Sequence, residues 1–277
     1  MHTNEMNFFT LIRPILLCLS LGLALPLPIS AQQYWTENFN TQQGPVDTRT
    51  WSREQLNALL HTAMREDGPT DPKVMALDDL AAAAKKKAYP DGLEAAVPRL
   101  LESSESGIVP ATARLAGILK LESSRSKLED CAHNAFCRDG TAALKALVCL
   151  GGEKTREFLR WLYAEKCKPR QRIQGAEVID ESDMERANIL CALIDLDAAQ
   201  ALPDVIAHVS RFPDDGFRKI IFEAFLSSKD GCAVIALALQ NRRLPTSVAT
   251  AGLRLARSAG NRANELIEAL KTAGGIE

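Results

Sequence analysis

Aromatic residues are scarce in this 277-residue chain, at 5% of positions. Strands favour aromatic and β-branched side chains, and no stretch here sustains an alternation of apolar and polar residues. A β-rich fold is excluded. An excess of one charge is missing too. Lys and Arg number 33 against 35 Asp and Glu, a net charge of −2. That leaves neither a basic surplus for nucleic acid nor an acidic tail. The chain also lacks a Gly-rich phosphate loop, a G-x-S-x-G elbow, an EF-hand spacing and a C-x-x-C-H haem motif. Ser124-Arg125-Ser126-Lys127 matches S-x-x-K, but without the S-D-N and K-T-G runs that accompany it in enzymes.

What is present begins with an export signal. Residues 1–31 hold one cation, Arg13, then a short apolar core from Ile15 to Leu25 broken by Pro26 and Pro28. Ser30-Ala31 offers small residues for cleavage before Gln32. The apolar run is too short to span a bilayer and no stop-transfer segment follows. Retention as an uncleaved anchor is the alternative. Cys18 lies inside the apolar core behind Leu17, which argues against lipidation. Cleavage leaves roughly 246 residues, enough for one extended repeat domain or two compact ones. The expected location is periplasmic or extracellular.

Residues 32–50 read as an irregular lead-in carrying Tyr34, Trp35 and Phe39. From Trp51 the period becomes helical. Ser52 is an N-cap candidate, with Leu56, Leu59, Leu60 and Ala63 on one face. Leu77, Leu80, Ala81 and Ala84 mark the next helix, and Val97, Leu100 and Leu101 another; Leu115, Ile118 and Leu119 follow Pro110. Later helices are expected at about 139–150, 153–166, 182–195, 199–211, 215–227, 230–242, 246–259 and 261–273. Phe158 is assigned to an inward stripe with Leu159, Leu162 and Tyr163. Residues 167–181 fit no helix and read as an inserted loop. Similar units begin near 183, 215 and 247, a step of about 32 residues, and such periods in helical sequence mean a solenoid of stacked helix pairs.

The stretches from Asp183 to Phe212, Asp214 to Gln240 and Thr246 to Gly275 each carry a helix, a polar break and a second apolar stripe. This pattern resembles HEAT-like, armadillo-type repeat proteins. The segment GLRLARSAGNRANELIEALKTAGGI also looks like the HEAT part of large exported bacterial dehydrogenases that join a propeller, helical repeats and a c-type haem module. The resemblance implies an all-α, right-handed solenoid of five to seven antiparallel helix pairs across residues 51–277. It implies no electron transfer, because the haem motif is missing. The function it implies is a non-enzymatic scaffold that binds another protein without a cofactor. The alternative is an accessory module for an extracytoplasmic oxidoreductase or cytochrome. A hydrolase or lyase in the solenoid groove is a third class, for which the residues offer no catalytic set.

Candidate residues follow from charge and cysteine placement. Lys166, Lys168, Arg170 and Arg172 concentrate positive charge at the insert, and long solenoid loops often face partners. Seven cysteines include Cys18 of the signal. Cys149, Cys191 and Cys232 sit in apolar stripes and are expected in the core. Cys131 and Cys137 flank a helix end, and a bridge between them, or from Cys167 to one of them, is the expected disulfide. On a continuous helix, residues 131 and 137 lie about 240° apart, so Cys131, His133 and Cys137 do not converge on a metal. His61 and His208 have no ligand neighbours in sequence. Asp78-Asp79, Asp180-Glu181 and Asp214-Asp215 read as caps rather than acid–base pairs.

Overall fold

The computed structural model describes residues 50–168, 181–209, 215–240 and 243–276. Residues 1–49, which hold the expected signal and lead-in, and residues 169–180 of the expected insert lie outside them. Among the described residues the chain is all-helical, and its residues cluster into two compact units, one within 50–192 and one within 193–276.

The first unit holds α1 (Arg53–Met64), α2 (Thr70–Lys85), α3 (Leu93–Leu100), α4 (Ile108–Leu119), α5 (Arg125–Ala132), α6 (Arg138–Leu150), α7 (Gly152–Lys166) and most of α8 (Glu181–Leu196). Ser52 caps α1 as the sequence predicts. The Gln55 N–H donates to Ser52 Oγ at 3.2 Å and the Ser52 N–H donates to Gln55 Oε1 at 2.8 Å. This capping box satisfies two orphan donors of the first turn. In α2 the expected stripe Leu77, Leu80, Ala81 and Ala84 is buried. Each Leu of that kind contributes about 1.5–3 kcal/mol of apolar burial.

Lys73 lies one turn before Leu77 on the same face and is also buried. Its charge is tolerated because Nζ sits 2.7 Å from Glu105 Oε1, while Thr70 Oγ1 donates to Glu105 Oε2 at 2.8 Å. Helix α1 packs on α2, α3 on α4 and α5 on α6, and α2, α4 and α6 stack on one another.

The second unit continues with α9 (Ala198–Val209), α10 (Asp215–Ser227), α11 (Gly231–Leu239), α12 (Thr246–Ser258) and α13 (Asn264–Gly274). Here α10 packs on α11 and α12 on α13, and α9, α11 and α13 are stacked. Val205, Ile206, Ile221, Phe225, Leu266 and Leu270 are buried, as their spacing predicts.

One corner recurs in both units. In the first turn of α6 and at the start of α11 an Asp-Gly pair, Asp139-Gly140 and Asp230-Gly231, brings the helix against the chain that closes the preceding one. A Cβ on Gly140 would meet Asn134 O at 1.8 Å, and one on Gly231 would meet Phe225 O at 2.1 Å, in each case six residues back. The next residue then donates to the next carbonyl. Thr141 Oγ1 lies 3.3 Å from Ala135 O, and Cys232 Sγ 3.8 Å from Leu226 O.

Candidate interaction surface

Helix α7 owes its orientation to its two sides. Thr155, Leu159, Leu162 and Tyr163 are buried and fix the inner face. Gly151, at φ 72°, separates α6 from α7. Thr155 Oγ1 donates to Gly151 O at 2.7 Å and in turn accepts from Arg125 Nη1 at 2.8 Å. Arg125 also binds Glu122 through Nε at 2.8 Å and holds that carboxyl below its usual range. The start of α5 is thereby tied to the start of α7.

At the other end of α5 the two helices meet through rings. The His133 ring lies edge-on to Trp161 at 5.5 Å and to Phe158 at 6.0 Å, and Phe158 and Trp161 are 5.9 Å apart. These spacings suit edge-to-face and tilted aromatic contact. Trp161 sits one residue before Leu162, which turns it about 100° off the buried stripe and leaves it 49% exposed. Phe136, on the turn three residues after His133, is 48% exposed. His133 Nδ1 lies 2.8 Å from Glu129 O. A carbonyl only accepts, so Nδ1 carries the proton and Nε2 is the acceptor of the neutral ring. A chain with three Trp in all thus gathers two aromatic rings and an imidazole on one surface.

The turn that bears His133 and Phe136 is anchored from three directions. Asn188 Nδ2 of α8 donates to Ala135 O at 2.7 Å, joining Thr141 there. The Cys137 thiol donates to Asn134 O at 3.1 Å and accepts from the Gly140 N–H at 3.3 Å, so it caps α6. Cys131 and Cys137 are free thiols, and the expected bridge is not formed. Burial pushes the Cys131 thiol up, with Asp139, Asp130 and Cys137 adding to the shift.

Cys167 is a free thiol as well. Cys191 and Cys232 are buried as expected, but Cys149 is exposed. Two residues beyond buried Leu147, Cys149 falls about 200° round α6 from the core.

The predicted contact residues divide. Lys166 is no loop cation. It closes α7 with Nζ 2.6 Å from Glu185 Oε1, its side chain 11% exposed and that of Glu185 6%. Lys168 is exposed and pairs with Glu165. Arg170 and Arg172 lie outside the described residues. Phe158, placed inward from the sequence, stands half-buried at the edge of the stripe. Ser124 is buried while Lys127 pairs with Glu102 on the surface, so the S-x-x-K match makes no dyad. Sequence reasoning weighed His133 only as a ligand and passed over Trp161. The signal available was an i, i+3 aromatic pair with one member off the apolar stripe.

No family model, no curated protein and no solved structure matches this chain. No helix among the described residues is long and apolar enough to cross a membrane. Among the described residues the chain is all-helical and carries a half-exposed aromatic surface on α7.

Proposed function

We propose that this chain is an exported, HEAT-like helical-repeat protein. It works as a non-enzymatic docking module and engages another protein through the aromatic face of α7. The observation that carries this reading is the His133–Phe158–Trp161 cluster. Half-exposed Trp and Phe packed edge-on with an imidazole are the composition of interface hot spots, since aromatic side chains lose little entropy on binding. The repeat reading is supported by the paired and stacked helices and by the Asp-Gly corner present in both units. The export reading rests on residues 1–31.

The test is a crosslinked pull-down of tagged protein from its native cell envelope, run in parallel with Trp161→Ala, with partners identified by mass spectrometry. A stoichiometric partner lost in the variant, with unchanged melting, is the expected result. A haem or propeller protein in that position would link the module to an oxidoreductase. A partner retained by Trp161→Ala and lost when residues 169–180 are removed would move the contact to the insert. Nothing above background would reject docking.

A further inference from the structure

The exposed side of α7 carries charge in a particular order. Lys154 and Glu157 lie seven and four residues before Trp161, and Glu165 and Lys168 four and seven after it. All four are exposed; helical geometry brings Lys154, Glu157 and Glu165 to the side that carries Trp161, and Lys168, two residues past the end of α7, pairs with Glu165. Along α7 the groups therefore run cation, anion, indole, anion, with the two carboxylates symmetric about Trp161 and the Lys168 cation just past the helix end. Glu165 is partly engaged by Lys168, while Glu157 has no ion pair among the described residues.

That symmetry decides against a second copy of this chain. An antiparallel α7 centred on Trp161 would set Glu157 against Glu165 on both sides of the indole pair. Like charges would face each other there, which disfavours the two-fold contact.

The complementary partner carries the inverse order. We infer that the α7 surface takes a segment of another protein that lays an Arg or Lys side chain over the Trp161 indole, between Glu157 and Glu165. Acidic residues of that segment, about 10 Å to either side, face Lys154 and Lys168. A guanidinium stacks on the indole face while its N–H groups reach the two carboxylates. This inference rests on the docking reading above and names the chemistry of its partner.

The experiment is selection of a random peptide library displayed on phage against the purified protein, with Trp161→Ala as the counter-target. The expected winners carry a central Arg or Lys with flanking acids and bind about tenfold more weakly to Trp161→Ala and to a Glu157→Lys/Glu165→Lys double variant. The isosteric Glu157→Gln/Glu165→Gln variant should weaken them by less and melt like the parent. Winners that depend on Trp161 but lack a basic residue would overturn the partner chemistry and leave the docking surface standing. An absence of any Trp161-dependent winner would overturn both.

Discussion

Lys166 and Glu185, separated by the whole insert, meet as a nearly buried ion pair at 2.6 Å that joins the last turn of α7 to the first turns of α8. A buried pair is a poor guide to net stability, because desolvation offsets much of the attraction, yet removing one member leaves the other uncompensated. Lys166→Met alone should therefore destabilise the protein by about 3 kcal/mol, and Glu185→Leu by a similar amount. The double variant Lys166→Met/Glu185→Leu should recover most of the loss. Urea midpoints of the four proteins decide it. Additive losses would mean that the two charges do not act on each other.

The same pair bounds the insert. Its side chains can separate the two Cα atoms by no more than roughly 14 Å, a gap about four extended residues span. Replacing residues 169–180 by a Gly-Ser linker of about six residues should leave helix content and the melting temperature nearly unchanged, since closure entropy varies slowly with loop length. Circular dichroism measures both. A large fall in melting temperature would show that the segment contributes to the core.

The recurring corner makes a sharper demand on two glycines. Gly140→Ala and Gly231→Ala each drive a Cβ into a helix-end carbonyl, with backbone rather than a flexible side chain as the obstacle. Overpacking of this kind costs about 1–3 kcal/mol. Because both sites make the same approach, the two variants should lose similar amounts. If either melts like the parent, the corner is more pliant than its geometry implies.

What the sequence made legible was whatever a single helix encodes by itself. The stripe Leu77, Leu80, Ala81 and Ala84 is a local period, and so are the boundaries of α7 and α12, which fall within a residue of expectation. Helix α5 was not distinguished, because over its length only Leu128 and Ala132 are buried. Its orientation depends on Arg125 reaching Thr155 thirty residues on. The role of Lys166 was misread for the same reason, since its partner lies nineteen residues away across the insert. The aromatic surface needs His133 of one helix end over Phe158 and Trp161 of another, and no periodicity within either segment announces that meeting.

Acid should unfasten the protein at Glu105. Hydrogen bonds from Lys73 and Thr70 hold its carboxyl below the ordinary value of 4.5. A carboxylate depressed in the folded state stabilises it fully above the unfolded pKa, and that contribution fades as pH falls through the lower folded value. Glu105→Gln removes the titration and leaves the buried Lys73 ammonium without a counter-charge. The variant should be less stable than the parent at neutral pH, and the gap should narrow progressively below about pH 4.5 as the parent carboxylate protonates. Urea midpoints taken across that window measure the narrowing. Parallel curves for the two proteins would mean that Lys73 does not depend on the charge of Glu105.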